Sequence, residues 1–377
     1  MINHKVFERL NKRFCVRRVT ENDFGALVDF FIFAYKDQYN ASRFVDKNII
    51  LQRIVWNNLK NPFCNNRDAL PSWICLFKDK IVGHFGSIPI MIKRNDNIFS
   101  SAWGRDLIVA PEYRNKGIGP LLINTVLNEK NNSLCFLIAG LNDKIYPVYK
   151  KLDFYDFGTI PQFIKILNFG SIAALITKKS IFHKGVLKIA KSKLFTKKNY
   201  RLPKYKKEIE FRILKDFNDD DKYFLDRVRN NFFVSMVKNA SFLKWRYFDQ
   251  PEFSYDIIRL TIKDKIKGYL VLRVSKVKGL NCGNIVDIIY DNNNQEAKNL
   301  LLNFSINFFK EINNIAFVRY GSIKDKYNWN LLRYGFVSIP SSSRFMAFFY
   351  DRSLENNDLT KNSNWQITYG DSDIDLS

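Results

Sequence analysis

Long apolar runs are missing from this 377-residue sequence. No stretch reaches the roughly 18 consecutive apolar residues that mark a membrane-spanning helix, so the sequence predicts none. The first residues, from Met1 to Arg18, are rich in charge and lack the apolar segment of a signal peptide. Hydrophobic residues still make up 46% of the chain, which is enough for packed interiors. We therefore expect a cytoplasmic protein with more than one domain.

Cysteine and histidine are scarce. The five cysteines, at positions 15, 64, 75, 135 and 282, form no Cys-x-x-Cys pair, and there are only 3 histidines. Structural zinc sites need clustered thiolates and imidazoles, so the sequence predicts no metal centre. An odd number of scattered cysteines suits free thiols in a reducing compartment.

Acidic residues are also in short supply. The chain has 37 Asp and Glu against 60 Lys and Arg, a formal net charge of +23. A field of this sign attracts nucleic acid, anionic lipid headgroups and nucleotide-linked substrates. Much of the excess lies between Lys178 and Lys207, where there is no Asp or Glu. We call residues 171–207 the basic connector; its interleaved apolar and lysine positions fit either a helix on an anionic membrane surface or the solvated face of a packed helix.

The most informative stretch is residues 106–122, where an apolar strand runs into Pro111 and a glycine-containing turn. Residues 114–119 read Arg-Asn-Lys-Gly-Ile-Gly and open a segment of helical character. Glycines let the backbone approach a ligand closely, and the first amides of a helix have no intrahelical partner. The turn therefore predicts an anion site suited to phosphates. A Walker loop is excluded because Pro120 and Leu121 follow the second glycine, and a Rossmann turn would need a third glycine.

This segment resembles the acetyl-CoA-binding core of the GNAT acyltransferases. Arg114, Gly117 and Gly119 match that family's Arg/Gln-x-x-Gly-x-Gly/Ala signature. Residues 142–154 follow at the right distance and resemble the family's Asn-x-x-Ala-x-x-x-Tyr-x-x-x-Gly-Phe helix. Asp153 stands where the family usually has glycine, and we expect aspartate to keep the left-handed turn. The resemblance implies the GNAT order of strands and helices over residues 14–170.

The resemblance also implies roles for single residues. In this family an amine attacks the acyl-CoA thioester directly, and Tyr149 aligns with the residue that protonates the leaving thiolate. A phenol suits that task because its ordinary pKa of about 10 lies above that of a thiol; a core aromatic is the alternative reading. Asp106 is our candidate for the general base, acting through a water. The implied cofactor-binding residues are Leu107, Ile108, Val109, Arg114, Lys116, Gly117, Ile118, Gly119 and Asn142.

Residues 208–350 repeat the α/β rhythm and look like a second GNAT copy. Its cofactor strand would be residues 285–290, but Asp291 and three asparagines follow where the glycine loop should be. The expected fold class is therefore α+β, with two GNAT-like mixed-sheet domains in tandem, the second degenerate at the CoA loop. The expected boundaries are 14–170 for the acyl-CoA-binding domain, 171–207 for the connector, 208–350 for the second domain and 351–377 for a polar tail with a frayed acidic end.

Three functions stay open at this level. The first is an N-acetyltransferase that moves an acetyl group from acetyl-CoA, without a metal, to an amine such as an amino sugar in surface polysaccharide assembly. The basic connector would then hold the protein at the inner membrane face. Fem-type aminoacyl transferases share the tandem architecture, so transfer from aminoacyl-tRNA is the second. The third is a non-enzymatic protein that binds nucleic acid, although the lysines lack the interleaved aromatics of a stacking groove.

Overall fold

A computed structural model describes most of the chain. The described residues are 4–36, 45–64, 66–129, 133–141, 145–171, 208–228, 233–291, 293–323, 329–341, 343–351 and 358–372. Asn142 and the basic connector beyond Ser171 lie outside them. The helix expected in that connector is therefore neither supported nor contradicted by the fold.

The helices within these ranges are mostly short, and some of them begin at side-chain caps. Asp46 accepts hydrogen bonds from the backbone N–H groups of Asn48 (2.8 Å) and Ile49 (3.2 Å), and Asn294 caps a later helix in the same way. In the described part of the chain, none of them combines the length and apolar character needed to cross a membrane. The helices are α1 (His4–Arg13), α2 (Phe24–Tyr35), α3 (Lys47–Leu59), α4 (Ile118–Asn128), α5 (Tyr146–Lys151), α6 (Asp219–Val228), α7 (Ala240–Leu243), α8 (Gln295–Glu311) and α9 (Trp329–Arg333).

The strands form two mixed sheets, which confirms the expected α+β class with two GNAT-like sheets. The nine-stranded first sheet runs β1-β2-β3-β4-β5-β15-β6, with β9 on the far part of β3 and β16 on β9. Its strands are β1 (Cys15–Arg18), β2 (Ser72–Phe77), β3 (Lys80–Arg94), β4 (Asn97–Val109), β5 (Ser133–Ala139), β6 (Tyr155–Thr159), β9 (Val234–Met236), β15 (Arg344–Phe349) and β16 (Trp365–Gln366).

The seven-stranded second sheet runs β14-β7-β13-β12-β11-β10-β8. Its central pair, β12 and β13, is parallel, as β4 and β5 are in the first sheet. The strands are β7 (Gln162–Ile166), β8 (Ile209–Ile213), β10 (Asp256–Ile262), β11 (Lys265–Val277), β12 (Leu280–Tyr290), β13 (Ile315–Gly321) and β14 (Val337–Ile339).

Each sheet contains strands from the other half of the chain: β9, β15 and β16 in the first sheet, and β7 in the second. β15, from the second half, lies between β5 and β6 in the first sheet, where Phe345 is opposite Ala139. β7, from the first half, lies between β13 and β14 in the second sheet. Phe345, Met346 and Phe349 are fully buried. The two halves therefore complete each other's sheets by exchanging strands.

Two tryptophans join the halves in a reciprocal way. The indole N–H of Trp56 donates to the carbonyl of Trp245 (2.8 Å), and the indole N–H of Trp245 donates to the carbonyl of Trp56 (2.9 Å). Their rings stack with centroids 4.3 Å apart. Each is followed by an amide–proline pair, Asn-Pro at 61–62 and Gln-Pro at 250–251. Reciprocal contacts of this kind are typical of units related by a two-fold axis. The two halves therefore behave as structural repeats.

The C-terminal residues pack into the protein. Leu359, Trp365, Ile367 and Tyr369 are 0–2% exposed. Trp365 donates its indole N–H to the carbonyl of Leu359 (2.7 Å), and β16 extends the first sheet. The prediction of a frayed acidic end is wrong as far as residue 372, because the few apolar side chains among residues 358–372 are all buried.

Candidate active site

The parallel strands β4 and β5 separate partway along their length. They pair from Ser100 opposite Ser133 as far as Trp103 opposite Leu137, while β4 continues to Val109. We call the gap between residues 104–109 and 138–141 the first wedge. Among the described residues, no strand pairs with the β4 edge that faces this wedge. Backbone N–H and C=O groups need hydrogen-bond partners, so this edge suits an extended ligand that carries amides.

A β-bulge lies at the wall of the first wedge. On β3, His84 pairs with Ile108 and Gly86 with Arg105, so β4 has one extra residue over this stretch. Asp106 falls within the bulge and has a positive φ of 51°. The bulge changes the direction of β4 near the inner end of the first wedge, where β4 and β5 are still close together.

Two arginines hold the carboxylate of Asp106. Arg105 Nε lies 2.8 Å from Asp106 Oδ2, and Arg53 from α3 binds the same carboxylate. Arg53 also lies 3.4 Å from Glu252 of the second half. Burial alone would raise the pKa of the Asp106 carboxyl, but Arg105 and Arg53 outweigh burial and hold that pKa well below its usual range. The general-base role of Asp106 stays a prediction, and these ion pairs favour a positioning role instead.

The turn after β4 has the backbone conformation that the predicted anion site requires. Asn115 and Gly117 have positive φ values of 60° and 86°, and Gly117 is the N-cap residue of α4. A side chain at Gly117 would also meet Leu10 of α1 at 2.9 Å, whereas a Cβ built on Gly119 meets no atom within 4 Å. The backbone at Gly119 is therefore open to close approach from outside, at the positive end of α4.

The two cations of the turn have different surroundings. Arg114 donates to the carbonyls of Val109 (3.1 Å) and Ala34 (3.3 Å), so its guanidinium ties the turn to β4 and α2. Lys116 is exposed and lies 5.0 Å from the ring of Tyr113. Lys116 is thus the more accessible of the two to an anion at the start of α4.

The remaining cofactor-binding candidates divide by exposure. Leu107 and Val109 are half-buried along the wedge, while Ile108 and Ile118 are buried in the core and offer only backbone atoms to a ligand. Asn142 lies outside the described residues. The structure therefore brings residues 107–109 and 114–119 together at one wall and one end of the first wedge.

Tyr149 lies on α5 and is 1% exposed. Its ring packs edge-on against Phe154 at 4.9 Å. Asp153 ends this helix with a φ of 60°, and the N–H of Phe154 returns to the carbonyl of Tyr149 (3.2 Å). The predicted left-handed aspartate is confirmed. The burial of Tyr149 fits both the packing role and a proton donor that meets its substrate only in a complex.

Local sequence patterns marked neither Arg53, Arg105 and Glu252 nor His84 as part of the site. His84 is 3% exposed on β3, with Nδ1 3.0 Å from the carbonyl oxygen of Asp106. Burial lowers the pKa of His84 to about 4, although the negative charge of Asp106 acts to raise that pKa. The imidazole is therefore neutral at pH 7 and can donate from Nδ1 to the bulge. Only its rarity, one of 3 histidines, could have marked it.

The second half has a matching wedge. β12 and β13 pair from Asn281 opposite Ile315 to Ile285 opposite Tyr320, and a register shift against β11 puts an extra residue next to Asp287. We call the gap beyond this point, between residues 286–290 and 321–323, the second wedge. An aspartate thus lies at the bulge in both halves.

The C-terminal segment occupies the second wedge. The N–H of Ile323 donates to the carbonyl of Ile367 (3.0 Å), and Thr368 Oγ1 donates to Asp287 (3.1 Å). A Cβ on Gly370 would lie 3.3 Å from that of Asp287. Lys238 bridges the two carboxylates, 2.7 Å from Asp287 and 2.8 Å from Asp371. The chain's own residues 367–371 therefore lie in the second wedge, between β12 and β13.

Comparison with known proteins finds a sequence match over part of the chain and a similar fold over most of it. A family model described as an acetyltransferase (GNAT) domain matches residues 70–156. That span contains β2 to β5, the turn after β4 and α5. A search of curated proteins finds no match.

Several solved structures have a similar fold. A protein of unknown function from Enterococcus faecalis, described as a probable N-acyltransferase, is 13% identical with a TM-score of 0.56, covering 89% of this chain and 72% of that one. A GCN5-related N-acetyltransferase from Anabaena variabilis is 12% identical with a TM-score of 0.55, covering 90% and 73%.

N-myristoyltransferase from Saccharomyces cerevisiae, solved with myristoyl-CoA, is 15% identical with a TM-score of 0.57, covering 89% of this chain and 79% of that one. Sequence identities this low support a shared fold and no more. The family-model match adds evidence from the sequence around the first wedge. The chain therefore contains a match to the GNAT domain at residues 70–156 and has the overall fold of these solved structures.

Proposed function

We propose that this protein transfers an acetyl group from acetyl-CoA, bound in the first wedge, to an amine. The GNAT domain match at residues 70–156 supports acyl transfer from acyl-CoA in general. The observation that carries the proposal is the first wedge itself. It combines an unpaired β4 edge, a bulge and an open helix N-terminus within one short stretch of chain.

The donor would bind along β4 through backbone groups. Amides of residues 116–119 would cradle the pyrophosphate, with the ammonium of Lys116 nearby. Pro120 has no N–H, which leaves that end of the cradle one donor short. The edge at residues 107–109 would pair with the amides of the pantetheine arm as a neighbouring strand does. The thioester would then lie near the bulge at Asp106.

The protein would act on the reaction mainly by positioning. The neutral amine attacks the thioester carbonyl, and the C–S bond breaks as the tetrahedral intermediate collapses. Tyr149 would give its phenolic proton to the departing thiolate, while the nitrogen of the new amide loses a proton to water and the phenolate regains one from water. Arg53, Arg105 and His84 would fix the bulge through Asp106, so that backbone groups of β4 keep their places around the carbonyl.

The acceptor we propose is a nucleotide-linked amino sugar of surface polysaccharide assembly. The net charge of +23 supports an anionic acceptor as well as an anionic donor, since a positive field raises the local concentration of both. We also propose that the protein is cytoplasmic and reaches the inner membrane face through the basic connector. The unpaired β4 edge beside an open helix start favours CoA over an aminoacyl-tRNA donor.

The test is an acetyl-transfer assay with a matched pair of variants. Purified full-length protein is incubated with acetyl-CoA and single nucleotide-linked amino sugars, and both free CoA thiol and the mass of the acetylated product are followed. Gly119→Asp places a carboxylate at the pyrophosphate cradle, where the added Cβ meets no atom of the protein. Gly25→Asp is the control, because Gly25 is likewise the second residue of a helix with no atom within 4 Å of an added Cβ.

We expect acetylated product with the wild type and with Gly25→Asp, and none above background with Gly119→Asp. Equal product from both variants would contradict the assignment of the phosphate site. Release of CoA thiol without any acetylated sugar would leave acyl-CoA chemistry in place and reject the proposed acceptor.

A further inference from the structure

The inner end of the first wedge is closed by a tryptophan. Trp103 is the last β4 residue that pairs with β5, so its side chain lies where the two strands meet. It is 1% exposed, and its ring packs against Phe345 with centroids 5.6 Å apart. A donor that enters from the turn after β4 and runs back along that strand would have its acyl end pointing toward Trp103.

The neighbours of Trp103 leave little room for an alkyl chain. At the next residue, a Cβ built on Gly104 would lie 2.5 Å from Ile138, 2.8 Å from Phe136 and 2.9 Å from Phe85. These three side chains are at most 4% exposed. The wedge therefore ends in tightly packed side chains on the face toward α4 as well as at Trp103.

Trp103 contacts Met236, which lines a cavity. The indole N–H of Trp103 is 3.2 Å from Met236 Sδ. Met236 lines a cavity of about 40 Å³ whose other walls include Leu225, Val228 and Ile288. The hydrogen bond holds the indole against Met236, and the cavity beyond Met236 is lined by both apolar and polar side chains, the latter including Ser235 and Lys238.

We propose that Trp103 sets the length of the acyl group, so that the protein accepts thioesters of two or three carbons and rejects long acyl chains. This inference rests on the proposed binding of acyl-CoA in the first wedge. An added methylene that meets a close-packed wall is costly, whereas a smaller residue at position 103 would let a chain extend toward Met236 and the cavity.

The experiment compares the dissociation constants of CoA, acetyl-CoA and octanoyl-CoA by calorimetry, using ketone analogues of both thioesters so that no turnover occurs. For the wild type, we expect octanoyl-CoA to bind about tenfold or more weakly than acetyl-CoA. In Trp103→Leu, the dissociation constants of octanoyl-CoA and acetyl-CoA should become equal within about threefold, and Trp103→Phe should give an intermediate ratio. Both variants should bind CoA itself as tightly as the wild type does.

Phe157→Leu is the matched control. Phe157 stacks on the same Phe345 ring at 4.6 Å, but it belongs to β6 and not to the strands that line the wedge. It should keep the wild-type preference for acetyl-CoA. Because Trp103→Leu removes a buried ring, the fold of this variant is checked by near-ultraviolet circular dichroism. If Trp103→Leu does not fold, the comparison is made with Trp103→Phe instead.

Two results would overturn the inference: equal binding of octanoyl-CoA and acetyl-CoA to the wild type, or an unchanged ratio in the Trp103 variants. A wild type that binds neither CoA nor any thioester would reject the proposed function itself, and this inference with it. The two failures are therefore distinguishable.

Discussion

The carboxylate of Asp106 is held at the bulge by two buried guanidinium groups, and this arrangement predicts a large effect on stability. In Asp106→Asn, Arg53 and Arg105 would keep their charges and lose their shared counter-ion. Breaking a buried pair in this way costs about 3–5 kcal/mol in the free energy of unfolding. Urea unfolding at neutral pH measures the loss.

Asp29→Asn is the control for that variant. Asp29 pairs with Lys47 at 2.7 Å, but both side chains are more than 60% exposed. Exposed pairs contribute at most about 1 kcal/mol, so this variant should unfold nearly as the wild type does. Similar small losses in both variants would show that the Asp106 ion pairs do not hold the bulge.

Tyr149→Phe tests the proton donor. Loss of the hydroxyl should lower kcat by on the order of 10²-fold while the KM for acetyl-CoA stays near its original value, because the proton moves only as the thiolate leaves. Tyr146→Phe removes a hydroxyl from the same helix, where it donates to Asp156 at 2.8 Å, and should leave kcat unchanged. A wild-type kcat in Tyr149→Phe would assign Tyr149 to packing alone.

Residue-scale features followed from sequence where they depend on near neighbours. The turn at Gly117 and the left-handed Asp153 are set by local backbone sterics, which a sequence pattern records. The contact of Arg53 with Glu252 joins residues far apart in the chain, and no local pattern marks it. The charge state of His84 likewise depends on burial that only the assembled sheet provides.

At the scale of elements, the sequence pattern predicted the strand before the glycine turn in the first half and residues 285–290 in the second, but not β7, β15 or their partners. A strand pattern says that a segment pairs, while the partner depends on tertiary packing. We still propose two domains, over residues 14–170 and 208–350, but each of them includes a strand from the other. The packed C-terminal segment escaped prediction for a related reason, because its few apolar residues are spread through a polar stretch.

The strand exchange predicts that neither half folds alone. Residues 1–171 lack β15, and with it the buried side chains of Phe345, Met346 and Phe349. Burying three such side chains is worth roughly 5–9 kcal/mol, which is comparable to the whole stability of a domain. Expressed alone, this fragment should lack a cooperative thermal transition. Co-expressed with residues 208–377, it should elute as a one-to-one complex. A fragment 1–171 that melts as the full chain does would contradict the exchange.

At the scale of the whole molecule, about half of the net charge of +23 lies in the basic connector. If this segment contacts a membrane, each lysine near an anionic surface contributes about 1 kcal/mol, screened by salt. Co-sedimentation with liposomes should then rise with the fraction of anionic lipid and fall with added salt. Protein that stays in the supernatant with every lipid composition would make the connector a solvated linker and weaken the case for a membrane-associated acceptor.

The central claim is that one half of the molecule binds acyl-CoA and the other does not, because the second wedge holds the chain's own residues 367–371. Calorimetric titration of the full-length protein with CoA tests it most directly. We predict one site per chain, at least about tenfold weaker in Gly119→Asp because of charge repulsion with the pyrophosphate, and unchanged in Gly25→Asp. Two sites per chain, or full affinity in Gly119→Asp, would contradict the account.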